Sequence, residues 1–218
     1  MRAGPRVECP VSTRPASFAE DLATHRYYDR RAAEYDEWYL GEGLFATRER
    51  PGWDAELHRL CGVLKALGPA TTLDVACGTA FLSRHLGGRV LGVDRSHAMV
   101  DIARRRIGRA VVADALALPV PDASVQRVFA AHFYGHLAPR ERTRFFAEAG
   151  RVGAELYVVD SARRPELPSE LWQERVLKDG SRHRIFKRYL TAAQLADELG
   201  GSVLFDGGWF VGARALLH

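Results

Sequence analysis

The apolar residues in the central part of the chain follow two alternating periods. From Asp54 to Leu67 the positions Leu57, Leu60, Cys61, Leu64 and Leu67 recur at the spacing of one helix face, and the run stops before Gly68-Pro69. Thr71 to Ala76 is then a short β-branched run, Phe81 to Leu86 reads as a helix, and Arg89 to Val93 as a second strand. Ser96 caps a helix whose Met99, Ile102, Ala103 and Ile107 share a face and which Gly108 ends. Ala110 to Ala113 and Val125 to Ala131 are the third and fourth strands. A helix starting near Pro139 carries Phe145, Phe146 and Ala149, and Leu156 to Val159 is the fifth strand. Strands separated by helices need crossover connections, so the pattern predicts an α/β fold with a doubly wound parallel sheet covered on both faces.

The two ends of the chain depart from this rhythm. Residues 1–17 hold Pro5, Pro10 and Pro15 without an apolar period and read as a flexible lead-in, leaving 18–218 as a single domain. The 18–50 segment interleaves Tyr27, Tyr28, Tyr35, Trp38, Tyr39 and Phe45 with charges, too aromatic for a linker and too charged for a core helix. Glu174 to Lys178 and His183 to Tyr189 flank Asp179-Gly180-Ser181, which predicts a hairpin over 174–190. Thr191 and Gln194 form a capping box for a helix ending at Gly200. Ser202 to Phe205 and Trp209 to Leu216, joined closely through Gly207-Gly208, can pair only antiparallel.

A length of 218 residues, 47% apolar and 27% charged, suits one globular core and excludes a repeat array or a disordered tail. No stretch of about 18 apolar residues occurs, and the first 20 residues lack an apolar block followed by a small-residue cleavage site. The expectation is a cytoplasmic protein with no membrane partner. Cys9, Cys61 and Cys77 are odd in number and far apart, so neither a disulfide framework nor a metal site is expected, and Cys77 reads as inert packing. The net charge of +4 comes from 28 Arg and 3 Lys spread along the chain. Its densest run, Arg104 to Arg106 with Arg109, sits where a helix C-terminus favours cations, which argues against a nucleic-acid partner.

Ligands of open α/β sheets bind beyond the carboxyl ends of the strands. After the first strand come Asp74-Val75-Ala76-Cys77-Gly78-Thr79-Ala80, small residues that admit a ligand to the backbone and lead towards a helix N-terminus. The second strand ends in Asp94, suited to a ribose diol, and the third is followed by Asp114, able to accept from an adenine amino group. After the fourth comes His132-Phe133-Tyr134-Gly135-His136. A dinucleotide fingerprint needs three glycines to seat a pyrophosphate, and this loop has one. The pattern therefore favours an adenosine ligand without phosphates over a nicotinamide dinucleotide.

At these residues the chain resembles the class I S-adenosylmethionine-dependent methyltransferases. The matching segments are TLDVACGTAFLSRHL (72–86), RVLGVDRSHAMVDIA (89–103), VVADALALPVPDASVQRVFAAHFYGHL (111–137) and ELYVVDS (155–161), in the family's order and spacing. The resemblance implies a Rossmann-like seven-stranded sheet of order 3-2-1-4-5-7-6 with strand seven antiparallel, S-adenosylmethionine as cofactor and S-adenosylhomocysteine as product. It also implies that Asp74, Ala76, Gly78 and Thr79 line the methionine side and Asp94 holds the ribose, while Arg95 and Met99 flank the adenine and Asp114 and Ala115 meet its polar edge. Many members have glycine where Ala80 stands. More loosely, YYDRRAAEYDEWY (27–39) and DGSRHRIFKRYLT (179–191) look like the lid and cap of small-molecule members similar to the quinone-type methyltransferases.

A small-molecule acceptor would then sit towards the fourth and fifth strand ends. His132 and His136 are the candidate catalytic residues, as bases for a hydroxyl acceptor, and Tyr28, Arg31, Tyr35, Trp38 and Asp160 the candidate lid and acceptor contacts. Arg184 and Lys187 could steer an acidic or phenolate acceptor. The alternatives are an adenosine-binding module that acts on RNA or DNA and a nicotinamide-dependent oxidoreductase. Asp94→Ala is expected to weaken S-adenosylmethionine binding by about 1.5 to 3 kcal/mol, the range for hydrogen bonds to a charged group, with the fold retained. Calorimetric titration checks this, and unchanged affinity would show the second strand to be misregistered.

Overall fold

A computed structural model of the chain describes residues 21–217, so the 1–17 lead-in and the start of the 18–50 segment lie outside the described residues. Seven strands form one sheet: β1 (Ala70–Val75), β2 (Gly88–Asp94), β3 (Ala110–Val112), β4 (Val125–Ala131), β5 (Gly153–Ser161), β8 (Ser202–Asp206) and β9 (Phe210–Leu216). Two further strands, β6 (Glu170–Val176) and β7 (Arg182–Arg188), make a separate hairpin. The sheet order is β3-β2-β1-β4-β5-β9-β8, parallel from β3 to β5, with β9 antiparallel to both its neighbours. Counted within the sheet alone, this is the expected order 3-2-1-4-5-7-6.

Burial on both faces follows from the two-residue period of a strand. In β5, Leu156 and Val158 enter a core shared with Phe145 and Ala149 of α5 (Pro139–Val152) and Leu195 of α6 (Ala192–Leu199). Tyr157 and Val159 enter the opposite core with Trp53, Leu60 and Leu64 of α3 (Trp53–Ala66). Helix α4 (His97–Ile107) starts as read: the Ser96 hydroxyl accepts the Met99 N–H, and Gly108 ends the helix in the left-handed conformation at φ +80°. Thr191 and Gln194 form the reciprocal capping box of α6.

The crossover from β1 to β2 differs from the expected helix over Phe81 to Leu86. It contains one 3₁₀ turn, Ser83–His85. Two features account for this. Ala76, Gly78 and Ala80 all take left-handed backbone, at φ +55°, +52° and +57°, which spends the start of the crossover on a tight loop. Phe81, Leu82 and Leu86 still bury, but against Leu60 and Leu64 of α3, so that helix covers the face a crossover helix would have covered. The expected helix N-terminus after β1 is therefore replaced by loop backbone.

The 18–50 segment folds, within its described part, as α1 (Leu22–Arg31), a 3₁₀ turn (Ala32–Glu34), α2 (Glu37–Leu40) and a second 3₁₀ turn (Gly43–Phe45) lying over the strand ends. The hairpin starts four residues earlier than the sequence suggests, with Trp172 opposite Phe186. A contact invisible in the pattern closes the far edge. Glu56 of α3, 8% exposed, accepts the backbone N–H groups of Gly208, Trp209 and Phe210 at 2.9, 2.8 and 2.8 Å. The carboxylate thus satisfies three donors of the β8–β9 turn that would otherwise be short of partners. Glu56→Ala is expected to destabilise the fold by about 2 to 4 kcal/mol, read as a lower urea midpoint with unchanged slope.

Candidate functional site

The carboxyl ends of β1 to β5, with α1 above them, enclose two adjoining cavities. The smaller, about 130 Å³, lies over β1 to β3. Of the residues expected to hold an adenosine ligand, Ala76, Gly78, Asp94, Arg95, Met99, Asp114 and Ala115 line it, and α1 adds Thr24, His25 and Asp29, which sequence reasoning had not singled out. Asp94 accepts the Gly78 N–H at 2.8 Å on one oxygen and the Ser96 N–H at 2.9 Å on the other. It fixes the β1 loop against the start of α4 and keeps lone pairs for a ligand's hydroxyl groups. Burial pushes its carboxyl up, against the pull of those backbone donors. Asp114 accepts the Leu116 N–H at 2.9 Å, again with acceptor capacity left over.

Asp74, Thr79 and Asp160, also expected at the site, stand behind the cavity walls rather than in them. Asp74 is buried beneath the loop, its Oδ1 has no hydrogen-bond partner among the described residues, and burial raises its carboxyl to about 7, with the nearby Ser83 hydroxyl pulling the other way. The Thr79 hydroxyl donates to Asp36 at 2.6 Å. Asp36 also pairs with Arg106 at 2.6 Å, and Tyr39 stacks on Phe81 with ring centroids 4.0 Å apart, so the N-terminal segment is fastened to the β1 loop and to α4. Cys77 is buried and its thiol is pushed up by burial and the nearby carboxylates, in keeping with inert packing.

The larger cavity, about 1170 Å³, lies between the N-terminal segment, the hairpin and the ends of β4 and β5. Arg31 and Trp38 line it, as does Lys187, whereas Arg184 points away, over the Trp172 ring. Arg175 lines it too and was missed in the sequence. Alternation along β6 is the signal that could have found it, since Leu171, Gln173 and Arg175 share one strand face and all three line the cavity. Four residues, Tyr28, Tyr35, His132 and His136, line both cavities and form the wall between them.

His132 follows β4 with left-handed backbone, φ +54°, its N–H bonded to Val159 O at 2.8 Å. Its Nδ1 lies 3.4 Å from the Ser161 hydroxyl and 3.9 Å from Asp160, while Nε2 is buried without a hydrogen-bond partner among the described residues. Burial, then the charge of Lys187, holds this imidazole down at about 3. His136 Nδ1 meets the Phe186 carbonyl, which can only accept, so the proton sits on Nδ1 and Nε2 accepts from the Tyr28 hydroxyl at 3.4 Å. Burial and the charges of Lys187 and Arg175 hold His136 well below its ordinary range, and burial pushes the Tyr28 phenol up to about 12. At neutral pH the dividing wall is therefore uncharged. Asp160 is fully buried, yet Lys187 holds its carboxyl down at about 2.

A model of the family described as "Methyltransferase domain" matches residues 73–155. The tRNA (carboxymethyluridine(34)-5-O)-methyltransferase ALKBH8 of Mus musculus is 31% identical over 133 residues, 60% of this chain and 18% of that protein. The chain thus spans less than a fifth of the curated relatives it matches. Among solved structures, the DhpI-SAH complex is 26% identical with a TM-score of 0.60, covering 88% of this chain and 94% of the other. The DhpI-SAM-HEP complex is 25% identical with a TM-score of 0.63, covering 88% and 95%. A SAM dependent methyltransferase from Aquifex aeolicus shares the fold at 21% identity and a TM-score of 0.57, covering 87% and 98%.

The depressed histidine has a consequence for stability. An ordinary histidine titrates near 6.5 and His132 at about 3, so below about pH 6.5 the unfolded chain binds a proton that the folded chain refuses. The stability present above that pH is lost as pH falls towards 3. Asp74 acts in the opposite sense, and equally in parent and variant. His132→Asn is expected to reduce the loss of stability between pH 7 and pH 4 by about 2 to 3 kcal/mol, measured as urea midpoints at the two pH values.

Proposed function

We propose that this chain, which belongs to the class I S-adenosylmethionine-dependent methyltransferases and takes S-adenosylmethionine as its cofactor, transfers the methyl group to a small-molecule acceptor in the larger cavity. The observation that carries this reading is the shared wall: a cavity with the carboxylates suited to adenosine meets a second, larger cavity at Tyr28, Tyr35, His132 and His136. The residues present fit the cofactor. Asp94 would hold the ribose and Asp114 the adenine amino edge, with Met99, Arg95 and Ala115 about the ring and Ala76 and Gly78 at the methionine end. Asp74 and Thr79 would support that end from beneath the loop.

Bound S-adenosylmethionine supplies a methyl group on a positively charged sulfur. The chain supplies alignment and a dry path. The aromatic wall around His132, with Trp38 at 4.9 Å between ring centroids, would exclude water from the junction. An imidazole held at about 3 is too weak a base to store a proton at neutral pH. His132 and His136 therefore orient the acceptor, by accepting a hydrogen bond and by fixing the Tyr28 hydroxyl.

The N-terminal segment would act as a lid. A cavity of about 130 Å³ is smaller than the roughly 300 to 1,000 Å³ usual for sites of this ligand size, so α1 would swing away for the ligand to enter. Asp36 would be the clasp of the closed state. A tRNA acceptor is the second reading, favoured by the similarity to ALKBH8, and it predicts binding that weakens steeply with salt.

Titration of the full chain with S-adenosylhomocysteine is expected to show one saturable site, and no binding at millimolar ligand would overturn the reading. Asp36→Ala is expected to speed release of the ligand about tenfold by stopped flow, as two charge-assisted contacts of the closed lid are lost. An unchanged rate would show the segment to be packing only.

A further inference from the structure

The wall of the larger cavity holds more positive charge than its own carboxylates can balance. Arg31 is 6% exposed and Lys187 3% exposed, and half-buried Arg175 faces the same space. Of these three, among the described residues, Lys187 alone has a carboxylate partner, Asp160. Arg31 and Arg175 both donate to one phenolic oxygen, that of Tyr27, and Arg175 also donates to Gln173 at 3.0 Å. Among the described residues the Arg31 Nε is buried without a hydrogen-bond partner, and its guanidinium lies over the rings of Tyr27, Tyr35 and Phe45 at 5.6, 5.2 and 5.7 Å. The lining carboxylates Glu49, Glu166 and Glu174 are exposed, and the last two pair with Arg164 and Arg182.

Gathering cations out of water beside one another is costly unless an anion meets them. A shared phenolic oxygen and the nearby Tyr27, Tyr35 and Phe45 rings offer weak hydrogen-bond and cation–π attraction, which offsets only part of that cost. Guanidinium groups present paired N–H donors that match carboxylate and phosphoryl oxygens, and an ammonium adds a point charge. The remaining wall, with Trp38, Trp53, Leu171 and Trp209, is apolar enough to hold an organic body.

We propose that the acceptor is an organic acid whose carboxylate or phosphoryl group is bound by Arg31, Arg175 and Lys187, and that an ionised oxygen of this group receives the methyl. This rests on the methyltransferase reading of the two cavities. In the step, a lone pair of the acceptor oxygen forms the new O–C bond, the C–S bond breaks, and its electron pair goes to the sulfur, which becomes a neutral thioether. One negative charge of the acceptor and the positive charge of the sulfonium disappear together, and no proton moves. An acceptor that arrives ionised needs no base, which agrees with a dividing wall whose imidazoles stay neutral and whose phenols are pushed up by burial.

The test is calorimetry on the full chain saturated with S-adenosylhomocysteine, at constant ionic strength, with inorganic phosphate, acetate and uncharged acetamide as probes. Phosphate or acetate is expected to bind at one saturable site and acetamide not to bind, and the tighter of the two anions separates a phosphoryl from a carboxylate acceptor. Arg175→Gln is expected to weaken anion binding at least tenfold while S-adenosylhomocysteine affinity stays unchanged, and Arg175→Lys to restore most of it. No saturable binding of either anion, or equal binding by Arg175→Gln, would overturn the proposal. The same titrations without S-adenosylhomocysteine keep the two readings apart. Anion binding by a chain that fails to bind S-adenosylhomocysteine would leave the anion site standing and remove the methyltransferase reading.

Discussion

One buried carboxylate holds the upper face of this molecule together. Asp160, at the end of β5, accepts the Gly135 N–H and the Ser161 N–H at 2.7 Å each and the Lys187 ammonium. Those three donors come from the loop after β4, from β5 itself and from the hairpin strand β7, elements far apart in sequence. Gly135 can take part because a Cβ there would lie 2.8 Å from the Arg188 carbonyl oxygen and 3.1 Å from the Asp160 carboxylate. The seating of the hairpin strand β7 against the loop after β4 follows from this contact. A buried carboxylate is tolerable only when its lone pairs are met, and here the fold brings the partners to it.

Much of this architecture was legible because periodicity survives translation into burial. The continuous apolar runs of β4 and β5, which bury on both faces, and the caps at Ser96, Thr191, Gly108 and Gly200 fix strands and helix ends by local chemistry alone. The strand-end carboxylates Asp94 and Asp114 were readable for a related reason: their place in the chain follows from where the apolar runs stop. The β1–β2 crossover was not readable in this way. Its apolar residues Phe81, Leu82 and Leu86 have helical spacing, but their partners are supplied by α3 and tertiary packing overrides propensity. Glu56 and the clasp at Asp36 were illegible because each acts across a long sequence separation, and nothing in the neighbouring residues marks such a side chain as anything but a surface charge. Arg175 carried a signal in the alternation of β6, but only once the hairpin is known to start at Glu170.

The functional face is accordingly a composite. The sheet contributes the carboxylates, which are rigid because they end strands. The N-terminal segment and the hairpin contribute aromatic and cationic walls and are linked to each other by Arg30 with Asp179 and by Lys178 with Glu37. No helix of the described residues is long and apolar enough to cross a membrane. The two covering segments bury their apolar residues against the strand ends and against each other, with Tyr27 of α1 packed on Leu177 and Ile185 of the hairpin.

The alternating left-handed residues of the β1 loop carry a further meaning. Glycine at positions 76 and 80 would adopt this backbone without strain, but it would also allow the loop many other shapes. Alanine gives up part of that ease, about 1 kcal/mol at each position, and in return narrows the set of conformations from which the loop must be recruited. A ligand that docks on such a loop meets a shape already drawn and loses less entropy in binding. The methyl groups of Ala76 and Ala80 thus act as a mould, with strain stored during folding in place of disorder that would otherwise be removed at each encounter.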